Sequence, residues 1–127
     1  MYMMGGMSYE KRMVLDQHIS LNIATRFVSR MPKMPQRKWA HAACLCRDEI
    51  VVTGGTMDLM LNMGLRSVPL GEPECYSFNI YTNTWRQLPD IPIGKIHPTL
   101  VVVSNRFIYQ IGGLDDFNFD IYKLDMR

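Results

Sequence analysis

Three double glycines, Gly5-Gly6, Gly54-Gly55 and Gly112-Gly113, constrain this chain more than any other feature. From Gly5 to Gly54 is 49 residues and from Gly54 to Gly112 is 58, and the excess of the second interval fits inside the segment 56–73. Self-similarity at a spacing of this size marks a repeated supersecondary unit, one that cannot bury its apolar face alone and must stack on its neighbours. Sliding the chain by 58 sets Phe27 on Trp85, Arg37 on Lys95, Ile50 on Ile108 and Gly54 on Gly112 without a gap. In the same register Ala42, Ala43, Cys44 and Leu45 fall on Leu100, Val101, Val102 and Val103.

The stretch from Tyr76 to Gly113 carries the pattern most fully. A short apolar segment with a Tyr leads to a turn, then to Trp85 opening a second segment, then to a Pro-containing loop. An apolar run at Leu100–Val103 follows, a turn at Ser104-Asn105-Arg106, and a run at Phe107–Ile111 that stops on the double glycine. Runs rich in Val, Ile, Phe and Tyr between Gly, Pro, Asn and Ser are the signature of short antiparallel strands. Tyr76-Ser77-Phe78-Asn79 recurs as Tyr122-Lys123-Leu124-Asp125, and in weaker form as Ser20-Leu21-Asn22 before Phe27.

An apolar run into Gly-Gly, then a Tyr, a Trp and a Pro-containing loop with a cation, at a period of roughly 50 residues, resembles the kelch repeats. The resemblance covers essentially the whole chain. It implies an all-β fold, an incomplete kelch-type β-propeller of about two and a half four-stranded antiparallel blades. The repeats would divide as 1–38, 39–95 with the insertion at 56–73, and 96–127. Innermost strands are expected near Ala40–Cys46 and Pro98–Val103. Second strands are expected near Tyr2–Met4, Glu49–Thr53 and Phe107–Ile111. Third strands are expected near Val14–Asn22, Glu74–Asn79 and Asn118–Asp125, and outer strands near Phe27–Ser29 and Thr84–Gln87. Gly5, Gly6, Gly54, Gly55, Gly112, Gly113, Tyr76, Trp85 and Tyr122 are then structural residues of the repeat. Glycine admits positive φ where the chain turns beneath a neighbour, and the aromatics wedge between twisted sheets. The resemblance also implies a repeated cation at Arg37 and Lys95 that serves contacts between blades.

Propellers close with roughly four to eight blades. Two and a half leave apolar faces and strand edges uncovered, so the chain is expected to belong to a longer polypeptide or to be completed by another chain. The net charge of +2 on 127 residues argues against nucleic acid as a partner. The N-terminus lacks the features of a signal peptide, and no apolar run approaches bilayer-spanning length, so no membrane association and a cytoplasmic or cytoskeletal setting are expected.

In an up-and-down blade the loop between second and third strands emerges at the same end as the loop into the next inner strand, and the family is understood to bind protein partners largely there. Those loops hold Lys11, Arg12, Arg30, Lys33, Arg37, Lys38 and Arg66, together with Lys95. Such a rim suits an acidic or phosphorylated protein segment held by charge-assisted hydrogen bonds. The insertion adds Met57 and Met60, with Leu61 and Leu65 at helical spacing, as an apolar grip or as a loop folded back on the fold.

Cys44, Cys46 and Cys75 lack the turn-borne C-x₂₋₄-C spacing of structural zinc sites and read as core cysteines. His18, His41 and His97 read as structural histidines at strand entries. No phosphate-binding loop, carboxylate pair or triad is recognisable, so no metal, cofactor or catalytic residue is expected. The leading expectation is a non-enzymatic protein–protein interaction module, either a kelch scaffold or a substrate-recognition segment. The alternatives are a structural subunit of a large complex completed in trans and a fragment of a kelch-like propeller enzyme.

Overall fold

The computed structural model describes residues 1–59, 71–114 and 120–127. These residues form twelve strands: β1 (Tyr2–Met4), β2 (Met7–Ser8), β3 (Met13–Val14), β4 (His18–Leu21), β5 (Val28–Arg30), β6 (Trp39–Cys46), β7 (Glu49–Thr56), β8 (Cys75–Asn79), β9 (Thr84–Leu88), β10 (Thr99–Val103), β11 (Phe107–Ile111) and β12 (Tyr122–Asp125). The protein is all-β. A central four-stranded antiparallel sheet, β6-β7-β8-β9, lies between an N-terminal sheet, β1-β4-β5, and a C-terminal sheet, β10-β11-β12.

Three details depart from the expected elements. The segment expected as one third strand from Val14 to Asn22 is two elements. Met13 and Val14 pair with Ser8 and Met7 in a small hairpin, and only His18–Leu21 joins the sheet. Arg30, expected in a loop, ends β5 opposite Ile19. The expected strand at Asn118–Asp125 is seen from Tyr122, and residues 118 and 119 lie outside the described ones.

The central sheet is covered on both faces. Along β7 every residue from Ile50 to Thr56 is buried, as expected of a strand sandwiched between layers. One face meets the N-terminal sheet through aromatic rings: Phe78 stands 4.5 Å from His18, 5.2 Å from Trp85 and 6.3 Å from Tyr2, centroid to centroid. The other face meets the C-terminal sheet through an apolar cluster of Cys46, Val51, Cys75, Leu88, Ile108 and Met126. Burying such side chains is the main favourable term in holding the layers together.

The double glycines fasten one layer to the next. All six residues have φ between 64° and 101°. The amide of Gly6 donates to the Lys38 carbonyl at 2.7 Å, and the amide of Gly55 donates to the Lys95 carbonyl at 2.8 Å. In each case the acceptor belongs to the chain entering the following sheet. A Cβ on Gly5 would lie 2.6 Å from the Lys38 oxygen, and one on Gly54 would collide with the Lys95 oxygen and come within 2.9 Å of Pro98 Cγ. Any larger residue would force the layers apart.

The hairpins also correct the ungapped slide by 58. In the central sheet Cys46 pairs with Glu49 across two turn residues, Arg47 and Asp48. In the C-terminal sheet Val103 pairs with Phe107 across three, Ser104, Asn105 and Arg106. One residue is inserted in the later turn, so the inner strands and their entries match at 57, not 58. Lys38, and not Arg37, is therefore the counterpart of Lys95.

Candidate functional site

The corrected register sorts the cations. Lys38 and Lys95 are fully buried. Each ammonium sits over the ring of the repeated Tyr, Lys38 at 5.6 Å from the Tyr76 centroid and Lys95 at 5.7 Å from that of Tyr122. Lys38 Nζ also donates to the Glu74 carbonyl at 2.7 Å. A desolvated ammonium needs such a donor–acceptor pairing and gains from an aromatic face. Burial lowers the Lys38 pKa, opposed by nearby anionic groups. Lys38 is thus not available to a partner, which corrects its expected place on the binding rim. Arg37 is not the inter-repeat cation either; its side chain turns outward.

Arg37 and Lys33 converge on one carboxylate. Lys33 Nζ lies 3.5 Å and Arg37 Nε 3.8 Å from Asp16, with 71% and 52% of the two cationic side chains exposed. The chain places them together because residues 34 and 38 hydrogen-bond through their amides to the carbonyls of Asp16 and Leu15. Lys11 and Arg12 are exposed in the turn of the β2–β3 hairpin, where Arg12 adopts φ 48° and Ser8 Oγ accepts from the Lys11 amide. Arg30 is exposed at the end of β5. Met57 is exposed at the start of the insertion, while Met60, Leu61, Leu65 and Arg66 lie outside the described residues.

Between the central and C-terminal sheets lies a cavity of 260 Å³, which sequence reasoning did not anticipate. Its walls include Val51, Cys75, Pro89, Ile91 and Leu124. A polar chain crosses it: the Cys75 thiol donates to Thr53 Oγ1 at 3.1 Å, and the Thr53 hydroxyl donates to Gln110 Oε1 at 2.7 Å. Gln110 Nε2 is buried and has no hydrogen-bond partner among the described residues. The cysteines are free thiols. Cys46 and Cys75 are buried core residues, and burial, helped by the neighbouring Cys46, pushes the half-buried Cys44 up to about 11. At neutral pH these thiols are protonated and poor nucleophiles.

His18 opens β4 with its ring edge-on to Phe78, and Nδ1 lies 3.2 Å from the Pro32 carbonyl oxygen. Burial lowers its pKa below the ordinary 6.5, partly opposed by that contact. His41 is lowered by burial and then by the Lys38 charge. A group with a depressed folded-state pKa takes up protons first in the unfolded chain. Stability is therefore complete above pH 6.5 and falls as the pH drops toward the folded-state values. The melting temperature is expected to fall by about 5 °C or more between pH 7.5 and pH 5, with a shallower slope in His41→Gln. A flat profile for the parent chain would contradict this.

Among the described residues no helix is long and apolar enough to cross a membrane. No family model matches the chain, and the search of curated proteins gives no match. The fold is that of an all-β protein of stacked antiparallel sheets with tightly joined layers.

Proposed function

We propose that the chain is a non-enzymatic protein–protein interaction module, its sheets serving as blades of an incomplete kelch-type propeller. The observation that carries the reading is the division of labour in the loop 31–38. Lys38 turns in and holds two sheets together, while Lys33 and Arg37 turn out and cluster about Asp16. A single carboxylate leaves the Lys33 ammonium and the Arg37 guanidinium with further donors facing water. With Lys11, Arg12 and Arg30 on the same N-terminal unit, they suit an acidic or phosphorylated segment of a protein partner.

The Met34 and Lys38 amides tie the loop that carries Lys33 and Arg37 to Asp16 and Leu15, which lowers the ordering cost of binding. Replacing Lys33 and Arg37 by Ser, together with Arg30, is expected to weaken capture of a fluorescein-labelled peptide of glutamate and phosphoserine by about tenfold. The parent chain's affinity should also drop steeply with salt. Equal affinity in the triple variant, measured by anisotropy with circular dichroism unchanged, would remove the basic rim from the account.

A second reading, a structural subunit whose C-terminal sheet is covered by further polypeptide of this chain or of another, draws on one comparison. Val103 is 42% exposed where its counterpart Cys46 is 0% exposed, and Ile121 is 59% exposed where Cys75 is 2% exposed. Positions that the repeat covers in the central sheet are bare in the C-terminal one.

A further inference from the structure

The interface between the N-terminal and central sheets and the one between the central and C-terminal sheets are the same joint built twice. The Gly6 amide donates to the Lys38 carbonyl at 2.7 Å where the Gly55 amide donates to that of Lys95 at 2.8 Å. The Gly6 carbonyl accepts from the Leu15 amide at 2.8 Å, and the Gly55 carbonyl accepts from the Glu72 amide at 2.7 Å. The Met34 amide donates to the Asp16 carbonyl and the Ile91 amide to the Pro73 carbonyl, both at 2.9 Å. In all three bonds the partners outside the glycines are 57 residues apart from one joint to the next. The two joints can therefore be compared residue by residue.

Two positions break the match, and both hold a histidine in the first joint only. A Cβ on Gly5 would lie 2.6 Å from His41 Cε1, and one on Gly54 would lie 2.9 Å from Pro98 Cγ. His41 and Pro98 thus occupy the same seat against the double glycine. They are 57 residues apart, as are His18 and Cys75. His18 projects from the N-terminal sheet onto Phe78 and Trp85 of the central sheet, at 4.5 and 5.4 Å between ring centroids. His41 projects from the central sheet onto Gly5, just beyond β1. One imidazole enters the joint from each side.

The closed joint disfavours charge on both rings. His18 Nε2 and His41 Nδ1 are buried without a hydrogen-bond partner among the described residues. Facing His18 are the rings of Phe78, Trp85 and Tyr2 and the Pro32 carbonyl. The charge that acts on His41 is the Lys38 ammonium, from the loop into β6, and the Met4 and Lys38 carbonyls offset it only in part. Around Lys38 in turn are the Cys75 thiol and the carboxylates of Glu74, Glu72 and Asp90. A second cation beside Lys38 is repelled, and a buried imidazolium loses hydration that no acceptor replaces. Water reaches the two rings only when the sheets part. In the second joint burial holds the Cys75 thiol above its ordinary range, so it stays neutral through the same acid interval, and Pro98 does not titrate.

We propose that the first joint is a pH-operated hinge: proton uptake by His18 and His41 parts the N-terminal and central sheets, while the joint to the C-terminal sheet stays closed. Both rings bind protons more readily once the joint is open. Closure is therefore complete above pH 6.5 and weakens as the pH falls toward the closed-state values. Parting also releases Pro32, whose carbonyl accepts from Trp85 Nε1 at 3.0 Å, and with it the loop 31–38. The hinge stands on the construction of the joint and not on any binding role of the cations in that loop.

The test is site-resolved hydrogen exchange on the full chain at pH 7.5 and pH 5.5, with each amide's rate divided by its intrinsic rate at that pH. Protection of the Gly6, Leu15 and Met34 amides is expected to drop at least about fivefold at the lower pH. Protection of the Gly55, Glu72 and Ile91 amides should change by less than about twofold. His41→Gln should reduce the response of the first joint. In the double variant His18→Gln with His41→Gln that joint should respond no more than the second. The parent chain compares the two joints within one molecule, so the result does not depend on how well the variants fold. Equal loss of protection at both joints, or protection at the first joint that is indifferent to pH, overturns the hinge. So does a pH response that survives in the double variant.

Discussion

Phe78→Ala is expected to cost about 3–5 kcal/mol of unfolding free energy, read as a lower urea midpoint with an unchanged slope. The ring is completely buried. It is where the central sheet meets the N-terminal one, touching His18 edge-on and tilting against Trp85 and Tyr2. Removing it leaves a void bounded on three sides by rings whose strands are fixed by β-pairing, so the site cannot collapse to fill the space. His18 loses most from the change. Its imidazole, already desolvated, would face either a cavity or entering water, so the acid sensitivity of the variant should also shift. Tyr81→Ala, at an exposed turn position, serves as the control and should lie within about 0.5 kcal/mol of the parent. Equal effects of the two substitutions would mean that the two sheets do not pack as described.

Gly54→Ala should destabilise by about 3 kcal/mol or more, and Gly112→Ala by only about 1–2 kcal/mol. Both glycines sit in the left-handed region, at φ 69° and 65°. Both substitutions therefore incur the same backbone penalty for an L side chain. Only at Gly54 does the added Cβ meet an obstacle, the Lys95 carbonyl that is itself held by the Gly55 amide. Around Gly112 no atom of the described residues lies within 4 Å of such a Cβ. The difference between the two variants therefore measures the close approach of layers, separated from conformational strain. If the two melt alike, the double glycine contributes conformation alone and does not fasten sheet to sheet.

Much of the fold is legible in the chain because its signals are local. Strands near Glu49, Glu74, Thr84 and Phe107 follow from short apolar or β-branched runs bounded by Gly, Asn and Pro, and they appear within a residue or two at their starts. Each double glycine falls where φ must be positive. The β2–β3 hairpin was not legible, since Met7-Ser8 and Met13-Val14 are too short to show a period of two. Nor was the inward turn of Lys38. An ungapped comparison shifts by one residue wherever a turn gains one, and the three-residue turn at Ser104-Asn105-Arg106 moves the repeat off Lys38 and onto its neighbour.

The binding surfaces show the same division. Cationic loops can be listed from sequence, but whether a lysine is a rim residue or a core residue depends on a single register step between two hairpins. The cavity depends on an even less local fact, the approach of β7 and β8 to β11 and β12.

The sequence by itself determined that this is an all-β chain of repeated antiparallel units joined at double glycines, because alternation and backbone-permissive residues act over a few positions. Only the tertiary structure decided which of two adjacent cations is buried, which sheet is covered on both faces and where a cavity opens between two sheets. Those outcomes depend on how one sheet lies against the next, and such contacts join residues roughly fifty positions apart.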